Sequence, residues 1–181
     1  MSGIRETCTR KRREEVLVHR EGRDAYTRSC ARRLVSRGEG QVDHVLECQV
    51  LRHATREVLS GDDRKNDGVV RRFSAAANDV SNLNLTSRRV NQSKKGPFTA
   101  ALNRLEKGAT KVDVEGLARK GRASWLVDEG AWANVEREIV ESYDAMERRL
   151  EAERATRAHA KTLARATEAV RETLDKMGLL D

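Results

Sequence analysis

Apolar positions along the 181-residue chain recur mostly at helical spacing. Leu46, Val50, Leu51, Ala54 and Val58 line one face of a helix, and Val69, Val70, Phe73, Ala76, Ala77 and Val80 line one face of a second. Tyr26, Cys30, Ala31, Leu34 and Val35 predict a helix over 24–37, closed by Gly38 and Gly40. Two stretches break the helical rhythm and read as short strands. One is Val16-Leu17-Val18, followed by a Glu21-Gly22 turn; in the other, Leu83 and Leu85 alternate with Asn82, Asn84 and Thr86. Gly61 to Gly68, rich in Asp, Asn and Gly, predicts a loop.

A helix is predicted from Ser87 to Lys95 with Gly96 as its left-handed cap. Pro97, the one proline, suits the first turn of a new helix carrying Phe98, Ala101, Leu102 and Leu105. Gly108, Gly116, Gly121 and Gly130 then punctuate a stretch with Trp125, and Trp132 follows; both tryptophans read as core anchors. From Ala131 to Met177 nothing breaks a helix. Ile139, Tyr143, Met146 and Leu150 form one stripe, Leu163, Ala166, Val170, Leu174 and Met177 another, and Glu151 to Lys161 between them is nearly all polar or alanine. This predicts a long helix or a helical hairpin packed on the body, with a homodimer or protein-partner contact as the alternative use.

Composition agrees with a helix-rich α+β fold, since aromatic residues make up 3% of the chain and charged residues 36%. The net charge of +7 is local. Residues 88–122 hold ten basic and three acidic side chains, whereas 123–181 hold nine basic and thirteen acidic. A basic block of this kind attracts a polyanion, most simply nucleic acid. Cys8, Cys30 and Cys48 form no CxxC pair, which argues against a zinc ribbon, and their odd number fits a reducing compartment. No apolar run is long enough to span a membrane and no signal-peptide core precedes the first helix, so an intracellular protein, cytoplasmic or nuclear, is expected. Arg10-Lys11-Arg12-Arg13 is a short basic cluster of the kind found in nuclear addresses.

The chemistry-bearing residues are Asp43-His44 and the run from Ser81 to Gly96, which contains Asn82, Asn91, Lys94 and Lys95. Together they resemble the HNH (ββα-metal) endonuclease motif: a strand ending in Asp-His, a second strand introduced by Asn, and a helix bearing Asn nine residues later. The likeness is closest to the HNH domains of CRISPR effector nucleases. It implies a small ββα-metal core within 16–122; the polar, basic start of the chain reads as a flexible arm over 1–15, and 123–181 as a helical C-terminal extension. His44 would be the general base, and Asp43 and Asn91 the ligands of one Mg²⁺ or Mn²⁺ ion. Asn82 would hold the catalytic loop so that the histidine is oriented, and Glu47 is a candidate extra ligand. Arg88, Arg89, Lys94 and Lys95 would contact phosphates of DNA, in preference to RNA.

These residue types suit phosphodiester hydrolysis. A neutral imidazole takes a proton from attacking water, and hard oxygen donors hold an ion that keeps its waters and adds phosphate oxygens. Asn82 lies 38 residues after His44, farther than is usual in the family, and the two amphipathic helices fill the gap. Such an insertion is tolerable where the ends of the inserted segment stay close. The rival readings are a nucleic-acid-binding protein on the same scaffold that does not cut, and a helical protein-interaction module.

Overall fold

Two strands far apart in sequence meet to form the sheet. β1 (Gly40–His44) pairs antiparallel with β2 (Leu83–Ser87), with Val42 opposite Leu85, Asp43 opposite Asn84 and His44 opposite Leu83. The computed structural model describes residues 10–65, 67–153 and 157–180. The helices are α1 (Arg10–His19), α2 (Ala31–Ser36), α3 (Cys48–Val58), α4 (Gly61–Lys65), α5 (Asp67–Ala77), α6 (Arg88–Glu106), α7 (Val114–Arg119), α8 (Ser124–Asp128), α9 (Ala131–Glu153) and α10 (Arg157–Lys176). A 3₁₀ turn, Val80–Asn82, leads into β2. The fold is therefore α+β and helix-rich with one two-stranded antiparallel sheet, as composition and periodicity predict. The described residues contain no helix long and apolar enough to cross a membrane.

Alternation along the strands decides what each face meets. Leu83 and Leu85 face outward onto α1 and α2, forming a small apolar cluster with Val16, Leu17 and Ala31. Asn84 and Thr86 face the opposite way, toward the turn at 24–29. The main core joins Leu46, Val50 and Leu51 of α3, Phe73 and Ala77 of α5 and Phe98 and Ala101 of α6 to Trp132, Ile139 and Met146 of α9 and Leu163, Val170 and Leu174 of α10. One apolar cluster thus runs through both the region of the HNH-like motif and the C-terminal region. The apolar stripes predicted for 131–177 are covered by the chain itself: α10 packs along α3, and α9 against α5 and α10.

Several sequence expectations are corrected. Val16-Leu17-Val18 is no strand but the end of α1, whose Arg10–Glu14 and Arg12–Glu15 pairs at helical spacing support it. The expected arm over 1–15 is thus helical from Arg10, and residues 1–9 lie outside the described residues. The helix expected over 24–37 shrinks to α2. Asp24 holds the backbone N–H of Tyr26 and the Thr27 hydroxyl, so the chain turns there instead, with Arg28 at φ 57°. The loop expected from Gly61 to Gly68 contains α4 and the start of α5. Gly96 caps nothing, because α6 continues through Pro97. Pro97 removes one N–H donor, but Val90, Lys94, Pro97, Phe98 and Ala101 form one continuous buried stripe that keeps the helix whole.

Candidate active site

Asp24 builds the floor of the site. Its Oδ1 accepts from the Tyr26 backbone N–H at 3.0 Å and from Asn84 Nδ2 at 2.8 Å. Its Oδ2 accepts from the hydroxyls of Thr86 at 2.7 Å and Thr27 at 2.9 Å. Asn84 in turn accepts the Ala25 N–H. The turn is thereby fastened to β2, and the Tyr26 ring is delivered to the sheet face on which Asp43 lies.

There the Tyr26 hydroxyl donates to Asp43 Oδ2 at 2.9 Å. Lys94, fully buried at 0% exposure, brings its ammonium to the same oxygen at 2.7 Å and to Glu47 Oε1 at 3.1 Å. It also donates to the Tyr26 hydroxyl at 3.0 Å and to the backbone carbonyls of His44 at 2.7 Å and Val45 at 3.2 Å. Burial alone would strip the lysine of its proton, but Asp43 and Glu47 outweigh it and hold the ammonium well above its ordinary pKa. Glu47 is less well served. Its Oε1 is close to the ammonium yet misaligned for a hydrogen bond, and burial pushes its carboxyl above the usual value despite Lys94. The expectation that Lys94 contacts phosphate is overturned: it lies on the inward stripe of α6, three residues after Asn91, and is consumed by the two carboxylates. Glu47, the candidate extra ligand, is the second of those carboxylates.

His44 leaves the strand on the opposite face. Its Nε2 lies 2.8 Å from Asn78 Oδ1, and because Asn78 Nδ2 donates to the Ser74 carbonyl, the amide is turned with its oxygen toward the ring. Nε2 therefore carries the proton, and Nδ1 keeps its lone pair. Arg12 of α1 donates to the Asn78 carbonyl and fixes the segment from outside. Burial lowers the imidazole pKa, only partly offset by Asn78 and Asp43, so His44 is neutral at pH 7.

Asn82 is buried and lies apart from the cavity. Its Oδ1 accepts the Leu46 N–H at 2.7 Å, and its Nδ2 donates to the Ala77 carbonyl at 2.7 Å. Its own carbonyl accepts the Val45 N–H. One amide thus joins the end of α5 to the chain just after Asp43-His44.

Asp43, His44, Glu47, Asn91 and Lys95 all line a single open cavity of about 480 Å³, together with Arg52 of α3. The three side chains named for metal and base chemistry therefore share one space. No family model, curated protein or solved structure matches the chain. Asn91 donates Nδ2 to Gln41 Oε1 at 3.3 Å, which leaves its own oxygen for the cavity. Arg52, Arg88 and Lys95 are exposed and form no ion pair or side-chain hydrogen bond among the described residues. Arg89 instead stacks over Trp125, 4.1 Å from the ring centre, while Trp125 donates to Ser93. Trp132 is buried against Phe98, as a core anchor should be.

The donor set discriminates among metals. The described residues hold no group of three His, Cys, Asp or Glu side chains arranged for an ion, which does not suit structural zinc. What remains is one carboxylate oxygen, Asp43 Oδ1, which makes no hydrogen bond among the described residues, and the Asn91 amide oxygen. Two hard donors on adjoining elements fit an ion such as Mg²⁺ or Mn²⁺, which retains several waters. Sequence reasoning did not single out Asp24, Asn78, Tyr26 or Arg52 for this site. Asn78 and Asp24 carry no motif of their own, and Tyr26 falls on an apolar face that reads as core.

Proposed function

We propose that this chain is a metal-dependent endonuclease of the HNH (ββα-metal) kind, hydrolysing phosphodiester bonds of DNA in preference to RNA. The reading is supported above all by the convergence of Asp43, His44 and Asn91 on one cavity, at the junction of a strand–strand–helix unit. Asp43 Oδ1 and Asn91 Oδ1 would hold one Mg²⁺ or Mn²⁺ ion. Bound there, the ion stabilises charge on the phosphate and the leaving oxygen. His44 Nδ1 takes the proton of the attacking water, and Asn78 keeps the other nitrogen protonated throughout. Lys95 of α6 and Arg52 of α3, both lining the cavity, hold neighbouring phosphates, with Arg88 at the start of α6; such contacts position a backbone without reading its sequence.

Supercoiled plasmid incubated with the protein and Mg²⁺ or Mn²⁺ is expected to be nicked, and EDTA to abolish nicking. His44→Ala should reduce the rate by at least about a hundredfold, and Asn91→Ala should weaken both rate and metal dependence. Plasmid left supercoiled by the wild-type protein with every ion overturns the reading. One observation favours a second: the Lys94 ammonium already neutralises Asp43 Oδ2, which suits a scaffold that binds nucleic acid without cutting it. Salt-dependent binding with no ion-dependent nicking is the result that reading expects.

A further inference from the structure

Five oxygens surround the Lys94 ammonium at 2.7–3.2 Å: Asp43 Oδ2, Glu47 Oε1, the Tyr26 hydroxyl and the carbonyls of His44 and Val45. Two of the five belong to carboxylates and two are backbone carbonyls, gathered round an ammonium on a side chain that is itself fully buried. That is the donor chemistry of a hard divalent cation such as Ca²⁺, which takes six to eight oxygens in flexible geometry. Glu47 Oε1 is buried, aimed at the ammonium and without a well-formed hydrogen bond. The lysine carries one positive charge against two carboxylates, so a divalent ion would balance the cage better.

We propose that Lys94 is a tethered cation occupying an oxygen cage that would otherwise bind a divalent metal ion. The cage borders the cavity, and the carboxylates of Asp43 and Glu47 belong to residues that line both. Lys94 thus closes the inner compartment to metal and leaves Oδ1 as the one Asp43 oxygen for the cavity; this last consequence alone rests on the proposed function. Lys94 also anchors the successive carbonyls of His44 and Val45, which ties α6 to the end of β1 and sets Asn91 beside Asp43.

The test replaces the ammonium with an apolar chain of similar length, Lys94→Met, and compares thermal unfolding of the full chain in excess Ca²⁺ and in EDTA. The variant is expected to gain at least about 5 °C more from Ca²⁺ than the wild type does, the shift set by linkage when free ion exceeds its dissociation constant a hundredfold. The extra gain should persist when Asn91→Ala is added and shrink when Glu47→Gln is added. A purely structural lysine would not produce this pattern, since its loss lowers stability without creating affinity for an ion. A gain no larger than that of the wild type overturns the proposal, as does a variant that stays unfolded in Ca²⁺, or a gain that vanishes with Asn91→Ala. Because the readout is melting and not cleavage, failure of the nuclease reading leaves the outcome interpretable.

Discussion

The imidazole Nε2 of His44 lies 2.8 Å from Asn78 Oδ1, and this contact selects Nδ1 as the nitrogen able to accept a proton. Partners that set the tautomer of a working histidine are commonly worth a factor of ten to a hundred, so Asn78→Ala should lower nicking by roughly that factor without abolishing it. Asn78→Asp should move the acid limb of the rate profile to higher pH, because a carboxylate beside the ring stabilises the imidazolium. Rates measured between pH 5 and 8 with both variants check this; an unmoved limb in Asn78→Asp would remove His44 from the role of base.

The same buried imidazole makes stability depend on pH. Its folded pKa is lowered below 6.5, chiefly by desolvation. Above 6.5 the ring is neutral in folded and unfolded chains alike and contributes no pH dependence. As pH falls below 6.5 the unfolded chain binds the proton first, so stability drops until the folded pKa is reached and then levels off. His19 is lowered too, also by burial first, and adds a slope of the same sign. Urea unfolding at a series of pH values should therefore give a shallower acid decline for His44→Gln than for wild type, the difference isolating His44.

Asp24 accepts four hydrogen bonds from groups on the 24–29 turn and on β2. Asp24→Ala leaves Asn84, Thr86 and the Tyr26 N–H without their acceptor in a buried place. The loss should be about 3 kcal/mol or more, given that hydrogen bonds to a charged acceptor are worth about 1.5–3 kcal/mol each and do not add fully. Asp24→Asn, which keeps one acceptor oxygen, should cost less. Denaturant midpoints order the three proteins, and equal midpoints would show that the network carries no net stability.

How much of this could be read from the residues differs between framework and site. The amphipathic stripes of α3, α5, α9 and α10 and the alternation of β2 were legible, because each follows one periodicity through one partner. That Asp43, His44 and Asn91 belong together was legible from their residue types, and the fold brings them to one cavity. Lys94 was not. Nothing in Ser93-Lys94-Lys95 distinguishes the lysine that is buried from the one that is exposed until the register of α6 against β1 is known. Asn78 and Tyr26 were hidden for a related reason, since each acts across more than fifteen residues of sequence through a contact that only the tertiary fold creates. The failed predictions at α1 and at Pro97 also have physical causes. Local rules were overruled in both places, by Arg–Glu pairs at helical spacing in α1 and by burial on one continuous face in α6.

Arg20, just past the end of α1, joins α1 to the 3₁₀ turn with the start of β2 and to α9. It donates through Nε to the Leu83 carbonyl at 2.9 Å and through its terminal nitrogens to the Ser81 carbonyl at 2.8 Å and to Glu138 of α9 at 2.6 Å. Both partners of the ion pair are largely buried, with side-chain exposures of 13% and 4%. Breaking such a pair from one side typically costs about 3–5 kcal/mol, mostly from the charge left behind. Arg20→Met is therefore expected to lower stability by that amount. Glu138→Gln should cost less, because an amide still accepts from Arg20, though Arg28 and Arg137 also lose their carboxylate. The released carbonyls flank Asn82, the amide that holds Leu46, so Arg20→Met should also slow nicking at a temperature where the variant is fully folded. Cleavage unchanged in folded Arg20→Met would mean that the Asn82 turn needs no support from α1, and that its own hydrogen bonds to Leu46 and Ala77 suffice to hold the end of β1.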